Sequence, residues 1–219
     1  ALGTVKKTSL TSFSRPRSVG LRAIELDEGD RLVGTALTDG ERDIMLFGSG
    51  GKVLRFNEAG VRTMGRTARG VRGIRLAPGQ EMIALILPEE GHQVLTVSEN
   101  GYGKRTDVAE FPVYGRGGQG VIGMQTSERN GALVGAVQVA DGGQIMLISN
   151  KGTLVRIRVD EVSVLSRNTQ GVRLIKLKKD ELLVGVEPVA DADEALLDDI
   201  VDGDVIDGEQ QPADEAGDE

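Results

Sequence analysis

Basic side chains recur in this 219-residue chain at a spacing of about fifty positions. One set, which we call the strand register, stands four residues after successive glycines and consists of Lys7, Arg55, Arg105 and Arg156. A second set, the loop register, consists of Arg66, Arg116 and Arg167, with Arg15 and Arg17 bracketing the corresponding place nearer the N-terminus. A third set, the edge register, consists of Arg22, Arg72 and Arg173. Ile122 occupies the equivalent position between Arg72 and Arg173. Guanidinium and ammonium groups in such series can bind the anionic groups of a polymer.

Two sequence markers indicate that these registers belong to an internal repeat. The stretches "SVGLRAIEL", "RGVRGIRLA", "QGVIGMQTS" and "QGVRLIKLK" carry their first glycines at Gly20, Gly70, Gly120 and Gly171. Glycines that we expect in tight turns follow the same period, at Gly3, Gly51, Gly101 and Gly152. We therefore divide the chain into repeats near residues 1–49, 50–99, 100–150 and 151–189, followed by a tail at 190–219.

Each repeat contains short apolar segments rich in Val, Ile and Leu and bounded by Gly, Asn, Asp or Ser, a pattern typical of β-strands. In the second repeat the predicted strands are Lys52–Asn57, Val71–Leu76, Glu81–Leu87 and Gln93–Val97. The last strand of one repeat and the first of the next are predicted to form a hairpin across a glycine turn. Four-stranded units of this length predict an all-β, propeller-like array of blades. Because residue 1 falls inside such a hairpin and is not Met, we expect a piece of a longer chain.

The net charge of −8 divides sharply along the sequence. The tail holds 13 of the 34 acidic residues and no Lys or Arg, so the body carries 26 basic against 21 acidic residues. A single arginine on a strand is explained by solubility alone, but three registers that repeat together favour a track for a polyanion. Backbone contacts with duplex DNA fit this track, and Lys6 and Lys104 join the candidate contacts. With 3% aromatic residues, the composition argues against single-strand binding by base stacking.

Other chemistry is weakly supported by the residues. The stretch "YGRGGQG" at 114–120 suggests a phosphate loop, but no helix pattern follows it, so a repeated loop is favoured. One histidine, His92, and no cysteine argue against a zinc site. Tyr102 and Tyr114 are assigned to packing or loop contacts. The tail lacks a calcium-loop pattern and is predicted to be mostly disordered, although its apolar residues allow a short helix near 194–201. We hypothesise that the rest of the tail competes with DNA for the basic residues.

Several segments, in order, resemble the C-terminal domain of the gyrase A subunit family of proteobacteria: "GTVKKT", "NGYGKRT", "SERNG", "VGAVQV", "GTLVRIRV" and "SRNTQGV". The resemblance covers residues 1 to about 189 and implies a six-bladed β-pinwheel that wraps DNA, with about four blades in this chain. The family's heptad, Gln-Arg-Arg-Gly-Gly-Lys-Gly, lies in its first blade. Residues 114–120 match it at Arg116, Gly117, Gly118 and Gly120 and differ at Tyr114, Gly115 and Gln119. They lie in the third repeat, so we interpret them as the equivalent loop of a later blade.

The resemblance also implies a function. The chain would bind and bend or wrap duplex DNA without catalysis of its own, as part of a cytoplasmic, nucleoid-associated A2B2 enzyme that supercoils DNA with ATP. The catalytic tyrosine, ATP and Mg would belong to other parts of that enzyme, so we expect no cofactor or metal in this chain and no membrane partner. Two alternatives stay open: the related domain of topoisomerase IV, and a propeller that serves only as a protein-interaction scaffold. DNA binding would weaken steeply with salt, whereas binding by a scaffold would not.

Overall fold

The computed structural model describes residues 1–189, and the predictions for the tail lie outside this range. The described chain contains short strands and single 3₁₀ turns, which confirms the all-β prediction. No helix in this range is long and apolar enough to cross a membrane. The strands are β1 (Thr4–Val5), β2 (Asp43–Gly48), β3 (Lys52–Asn57), β4 (Val71–Arg72), β5 (Met82–Ile86), β6 (Gln93–Ser98), β7 (Tyr102–Asp107), β8 (Val121–Ile122), β9 (Leu133–Val139), β10 (Gln144–Ser149), β11 (Leu154–Arg158), β12 (Val172–Arg173) and β13 (Leu183–Val189). The 3₁₀ turns are Leu10–Phe13, Glu58–Gly60, Val108–Glu110 and Val159–Glu161.

The sheets are built on three antiparallel hairpins, β2–β3, β6–β7 and β10–β11. The first strand of each hairpin also pairs with the third strand that follows it, so β5 joins β2, β9 joins β6 and β13 joins β10. The outer strand of a hairpin pairs with a two-residue strand from the next repeat, so β8 joins β3 and β12 joins β7. Strand β4 pairs with β1 in the same way. Neighbouring repeats therefore exchange a strand.

The predicted hairpin across the boundary between residues 49 and 50 is confirmed, since β2 and β3 pair in one sheet. The exchange shortens one of the predicted strands. The predicted strand Val71–Leu76 is reduced to Val71–Arg72, because only these two residues reach the outer strand of the preceding repeat. Residues 21–38 contain no strand. Their equivalents in the second repeat, β4 and β5, pair with strands β1 and β2 of the preceding repeat.

The core lies between successive sheets. Along β2, Met45 and Phe47 pack towards the third repeat, whereas Leu46 packs in a separate cluster with Phe56 and Ile74. Side chains of a strand alternate between the two faces of its sheet, so a strand with both faces covered is apolar throughout. The β6–β7 sheet is likewise buried on both faces, against one cluster on each side. Each sheet is thus held by its neighbours rather than by a separate core.

The hairpin turns need glycine for two reasons. Gly51 has a φ of 80°, in the left-handed region that other residues rarely adopt. A Cβ atom at this position would also lie 2.1 Å from the carbonyl oxygen of Met124. The backbone of the next repeat therefore packs directly on the turn, which fixes the spacing between repeats.

Candidate nucleic-acid interface

The strand register lies largely inside the array. Arg105 is 7% exposed, and its Nε atom donates to the carbonyl oxygen of Val162 at 2.8 Å. Its Nη1 atom donates to Gln93 Oε1 at 2.9 Å and to Asp141 Oδ1 at 2.8 Å. These contacts use the guanidinium to hold the 3₁₀ turn of the following repeat. The predicted phosphate contact at Arg105 therefore gives way to an internal one.

Two further members of the strand register make the equivalent contact. Arg55 pairs with Asp43 at 2.9 Å and Glu90 at 2.5 Å, and its Nη1 atom faces the carbonyl oxygen of Val108. Burial opposes the charge of Arg55, but the hydrogen bonds to Glu90 and Asp43 outweigh it and raise its pKa. Lys7 donates to the carbonyl oxygen of Glu58 at 3.0 Å. These positions favour a structural role in joining repeats.

Arg156 completes the strand register and differs from the other three. It lies on β11, the outer strand of the last described hairpin, and its side chain is exposed. Within residues 1–189 it forms no ion pair or side-chain hydrogen bond. Of the four positions, this one leaves its charge available at the surface.

Lys6 and Lys104 also point inward. Lys104 is fully buried, and its Nζ atom donates to the carbonyl oxygens of Ser166, at 2.6 Å, and Arg167. Burial lowers its pKa to about 8. Lys6 donates in the same way to the carbonyl oxygens of Ala23 and Arg66. Both lysines hold the loops that carry the loop register, so the predicted surface contacts at these two positions are replaced by internal ones.

The loop register makes one contact three times. Arg66, Arg116 and Arg167 each donate through Nη1 to a backbone carbonyl of the preceding repeat. The acceptors are the carbonyl oxygens of Arg22, Arg72 and Ile122, at 3.3, 3.1 and 3.0 Å. Because these acceptors are the edge-register positions, each loop residue lies beside an edge residue. The structure therefore brings the two registers together.

The edge register faces outward. Arg22, Arg72 and Arg173 are all exposed, as are Arg15 and Arg17. Ile122, the exception, is 39% exposed and pairs across the sheet with Lys52. In the two equivalent pairs, Arg72 is opposite Thr4 and Arg173 is opposite Tyr102. Each cross-strand pair thus contains one basic residue, and Lys52 supplies the charge that Ile122 lacks.

Lys52 and Arg129 are candidate contacts that the sequence pattern missed. Lys52 belongs to none of the three registers. Its place opposite Ile122 becomes apparent only from the pairing of β3 with β8. Arg129 lies in the "SERNG" loop, outside all three registers, and its Cζ atom is 5.0 Å from the ring centroid of Tyr102. The only sequence signal for a contact at Arg129 was that a basic residue stands next to a predicted turn.

The basic residues of the loop-to-edge contacts, with Lys52 opposite Ile122, define what we call the rim, comprising Arg22, Lys52, Arg66, Arg72, Arg116, Arg167 and Arg173. Its donors are spaced by the repeat and suit contacts to successive anionic groups. The loop 114–120 forms part of the rim, since Arg116 Nε donates to the carbonyl oxygen of Gly60 at 2.7 Å. Within residues 1–189 no group of three or more His, Cys, Asp or Glu residues is placed to hold a metal ion.

The repeated, strand-exchanged sheets and the basic rim define a propeller-type repeat protein with a positively charged edge. A family model described as "DNA gyrase C-terminal domain, beta-propeller" matches residues 1–39, 42–88, 92–140 and 143–190. The chain belongs to this family of DNA gyrase C-terminal domains, and its fold is the β-pinwheel that the sequence resemblance implied. The matched segments begin close to the hairpins, in agreement with the sheet boundaries.

Relatives of known name agree with this assignment. The DNA gyrase A protein of Pseudomonas aeruginosa is 64% identical over 189 residues, which are 86% of this chain and 20% of that protein. The DNA gyrase A protein of Escherichia coli (strain K12) is 52% identical over 216 residues, which are 98% of this chain and 25% of that protein. The chain therefore spans a fifth to a quarter of the length of these bacterial relatives.

Two solved structures share the fold. A structure of the DNA gyrase A C-terminal domain has a TM-score of 0.76 at 25% identity and covers 86% of this chain and 63% of its own. A crystal structure of the C-terminal domain of DNA topoisomerase IV has a TM-score of 0.80 at 26% identity and covers 85% and 59%. The fold is thus common to both kinds of topoisomerase, whereas the two bacterial relatives are gyrase A proteins.

Proposed function

We propose that this chain binds duplex DNA along its rim and bends or wraps it, as the non-catalytic C-terminal part of a gyrase A protein. The observation that carries the proposal is the pairing of an edge residue with a loop residue at equivalent places in successive repeats. Contacts to the backbone at regular intervals hold a duplex without selecting its sequence. Bending 20–30 base pairs costs on the order of 1–6 kcal/mol, which several phosphate contacts can offset.

The proposal extends to the whole enzyme. The chain would support ATP-dependent negative supercoiling within an A2B2 assembly of gyrase A and gyrase B proteins, in the bacterial cytoplasm at nucleoid DNA. ATP, Mg and the catalytic tyrosine would be supplied by other parts of that enzyme. The identity to gyrase A proteins supports this over a topoisomerase IV origin.

The test is duplex binding by rim variants. Arg116→Ala removes one rim contact and is expected to weaken binding about threefold, while circular dichroism shows that the chain stays folded. Arg22→Ala combined with Arg72→Ala and Arg173→Ala removes the edge register, and we expect a loss of at least about tenfold.

The matched control is Arg42→Ala, which removes the same charge from a surface pair with Asp39 at 3.5 Å. We expect this variant to bind DNA within about twofold of the unmodified chain. Equal losses in the control and in the rim variants would count against the rim, and no DNA binding by the unmodified chain would reject the function.

A further inference from the structure

Tyr102 lies between two arginines that pair with no carboxylate in the described part of the chain. Arg173 Nη2 donates to the Tyr102 hydroxyl oxygen at 2.8 Å, and the Cζ atoms of Arg129 and Arg173 lie 5.0 and 5.3 Å from the ring centroid. Tyr102 is 5% exposed, whereas both arginines are exposed. The buried ring therefore has two exposed guanidinium groups beside it, with their Cζ atoms 5.0 and 5.3 Å from its centroid.

The cluster formed by Tyr102, Arg129 and Arg173 is rich in hydrogen-bond donors and poor in acceptors. Within residues 1–189 neither arginine forms an ion pair, although Arg55 and Arg105, also near hairpins, are both paired with carboxylates. The best partner of Arg129 is Gln170 Oε1, at 3.4 Å. The Tyr102 hydroxyl accepts from Arg173, and its own hydrogen has no acceptor in the described residues. Two like charges held together in this way are stabilised by an anion placed between them.

The geometry of the cluster is fixed by its surroundings. Arg173 stands directly opposite Tyr102 in the β7–β12 pairing. The loop that carries Arg129 is held by Asn130, which is fully buried and donates through Nδ2 to the carbonyl oxygen of Gln125 at 2.7 Å. Asn100 donates to the carbonyl oxygen of Arg129 at 3.2 Å. An anion would thus meet donors that are already positioned, which lowers the entropic cost of binding.

We propose that Arg129, Arg173 and Tyr102 form a binding site for one phosphate group, with each guanidinium donating to its oxygens and the Tyr102 hydroxyl donating a third hydrogen bond. Planar guanidinium forks match phosphate oxygens in this way. The inference rests on the proposed function and deepens it, because a DNA backbone phosphate is one source of this group and a free phosphate ion is the other. The site lies where the third and fourth repeats meet and has no counterpart between the earlier repeats, since Thr4 and Lys52 occupy the place of Tyr102 in the first two.

The chain offers a direct probe of this site. It contains two tyrosines and no tryptophan, so Tyr114→Phe leaves Tyr102 as the only tyrosine. In this background we would add a short duplex, or inorganic phosphate, and record tyrosine emission and the pH titration of the phenol. Arg129 and Arg173 lower the pKa of Tyr102 in the free chain. A bound phosphate opposes their charge, so the duplex is expected to raise this pKa and to change the emission.

The second experiment measures duplex affinity and compares two double variants that each lose two positive charges. Arg129→Ala with Arg173→Ala is expected to weaken duplex binding about tenfold, and Tyr102→Phe, which keeps the ring, about threefold. The control is Arg31→Ala with Arg42→Ala, both paired with carboxylates on the surface, for which we expect a change of less than about twofold.

The outcomes separate the site from the function. A response to the duplex, with the loss of affinity, supports a backbone phosphate as the ligand. A response to inorganic phosphate alone supports the site and assigns it to the free ion. If Tyr102 responds to neither ligand, or if it responds to the duplex while the Arg129→Ala, Arg173→Ala variant binds the duplex as the control does, the inference is wrong. Failure of the unmodified chain to bind DNA would instead reject the proposed function, and the phosphate arm would still test the site.

Discussion

At the scale of single residues, arginine serves two purposes in this chain. Arg105 and Arg55 hold neighbouring repeats together from inside, whereas Arg72 and Arg173 face solvent. Both kinds recur with the same period, so sequence spacing alone cannot separate them. The distinction depends on which face of a sheet is covered by the next repeat.

Arg105 and Arg156 allow this distinction to be tested by stability. Arg105→Ala removes the hydrogen bond to the buried carbonyl oxygen of Val162 and the contact with Asp141. We expect the free energy of unfolding to fall by about 2 kcal/mol, measured by urea denaturation. Arg156→Ala, at the same register position but exposed, should change it by less than about 0.5 kcal/mol. Equal effects would show that the strand register has no internal role.

Lys104 predicts a dependence of stability on pH. Because burial lowers its pKa from 10.5 to about 8, the unfolded chain binds more protons than the folded chain between these values. The free energy of unfolding contributed by this group therefore rises as pH increases from about 8 to 10.5, by about 3 kcal/mol.

The measurement compares the unmodified chain with Lys104→Met in urea at about pH 7 and about pH 10. Leu54 occupies the same place in the second repeat and is buried, so the fold accommodates an apolar residue there. The difference in stability between the two proteins should shift in favour of the unmodified chain by about 2 kcal/mol at the higher pH. A constant difference would mean that Lys104 titrates normally.

At the scale of elements, the short exchanged strands control how repeats fit together. The glycine before each of them packs on the preceding repeat, and a Cβ atom at Gly120 would lie 2.1 Å from the carbonyl oxygen of Val53. Gly70 and Gly171 would meet Val5 and Gly103 at 2.5 and 2.6 Å. The close approach explains why the spacing of these glycines is so regular in the sequence.

Gly20 is the matched control for this close approach. It has the same register position and a φ of 78°, but a Cβ atom there would meet nothing within 4 Å. Gly120→Val should therefore cost at least about 3 kcal/mol, from strain and displacement of β3, whereas Gly20→Val should cost about 1 kcal/mol from strain alone. Thermal unfolding of both variants measures this, and equal losses would contradict the packing role.

The sequence predicted the repeat, the hairpins and their turn glycines, because these depend on local periodicity and on backbone conformation. Lys52–Asn57 forms β3 with the predicted bounds. Strand exchange was not predictable, since Val71 and Val121 carry no local signal of the repeat with which they pair. The loop and edge registers were found by their spacing, but the inward position of Lys104 and the complementation of Ile122 by Lys52 required the pairing of strands.

At the scale of the whole molecule, the division of charge predicts that the acidic tail competes with DNA for the basic residues of the body. The tail at 190–219 carries 13 acidic residues, against an excess of five basic residues in the body. Deleting the tail is expected to tighten duplex binding severalfold at low salt, and less at high salt because screening weakens the competition. A shortened chain with unchanged affinity at low salt would reject this hypothesis.

The salt dependence of duplex binding tests the central claim most directly. Each phosphate neutralised by the rim contributes about −0.9 to the slope of log affinity against log salt, so six or seven contacts predict a slope of about −5 to −6. Loss of the edge register, by Arg22→Ala, Arg72→Ala and Arg173→Ala together, should reduce the magnitude of the slope by about 3. A slope near zero, or one that the triple variant leaves unchanged, would contradict the account.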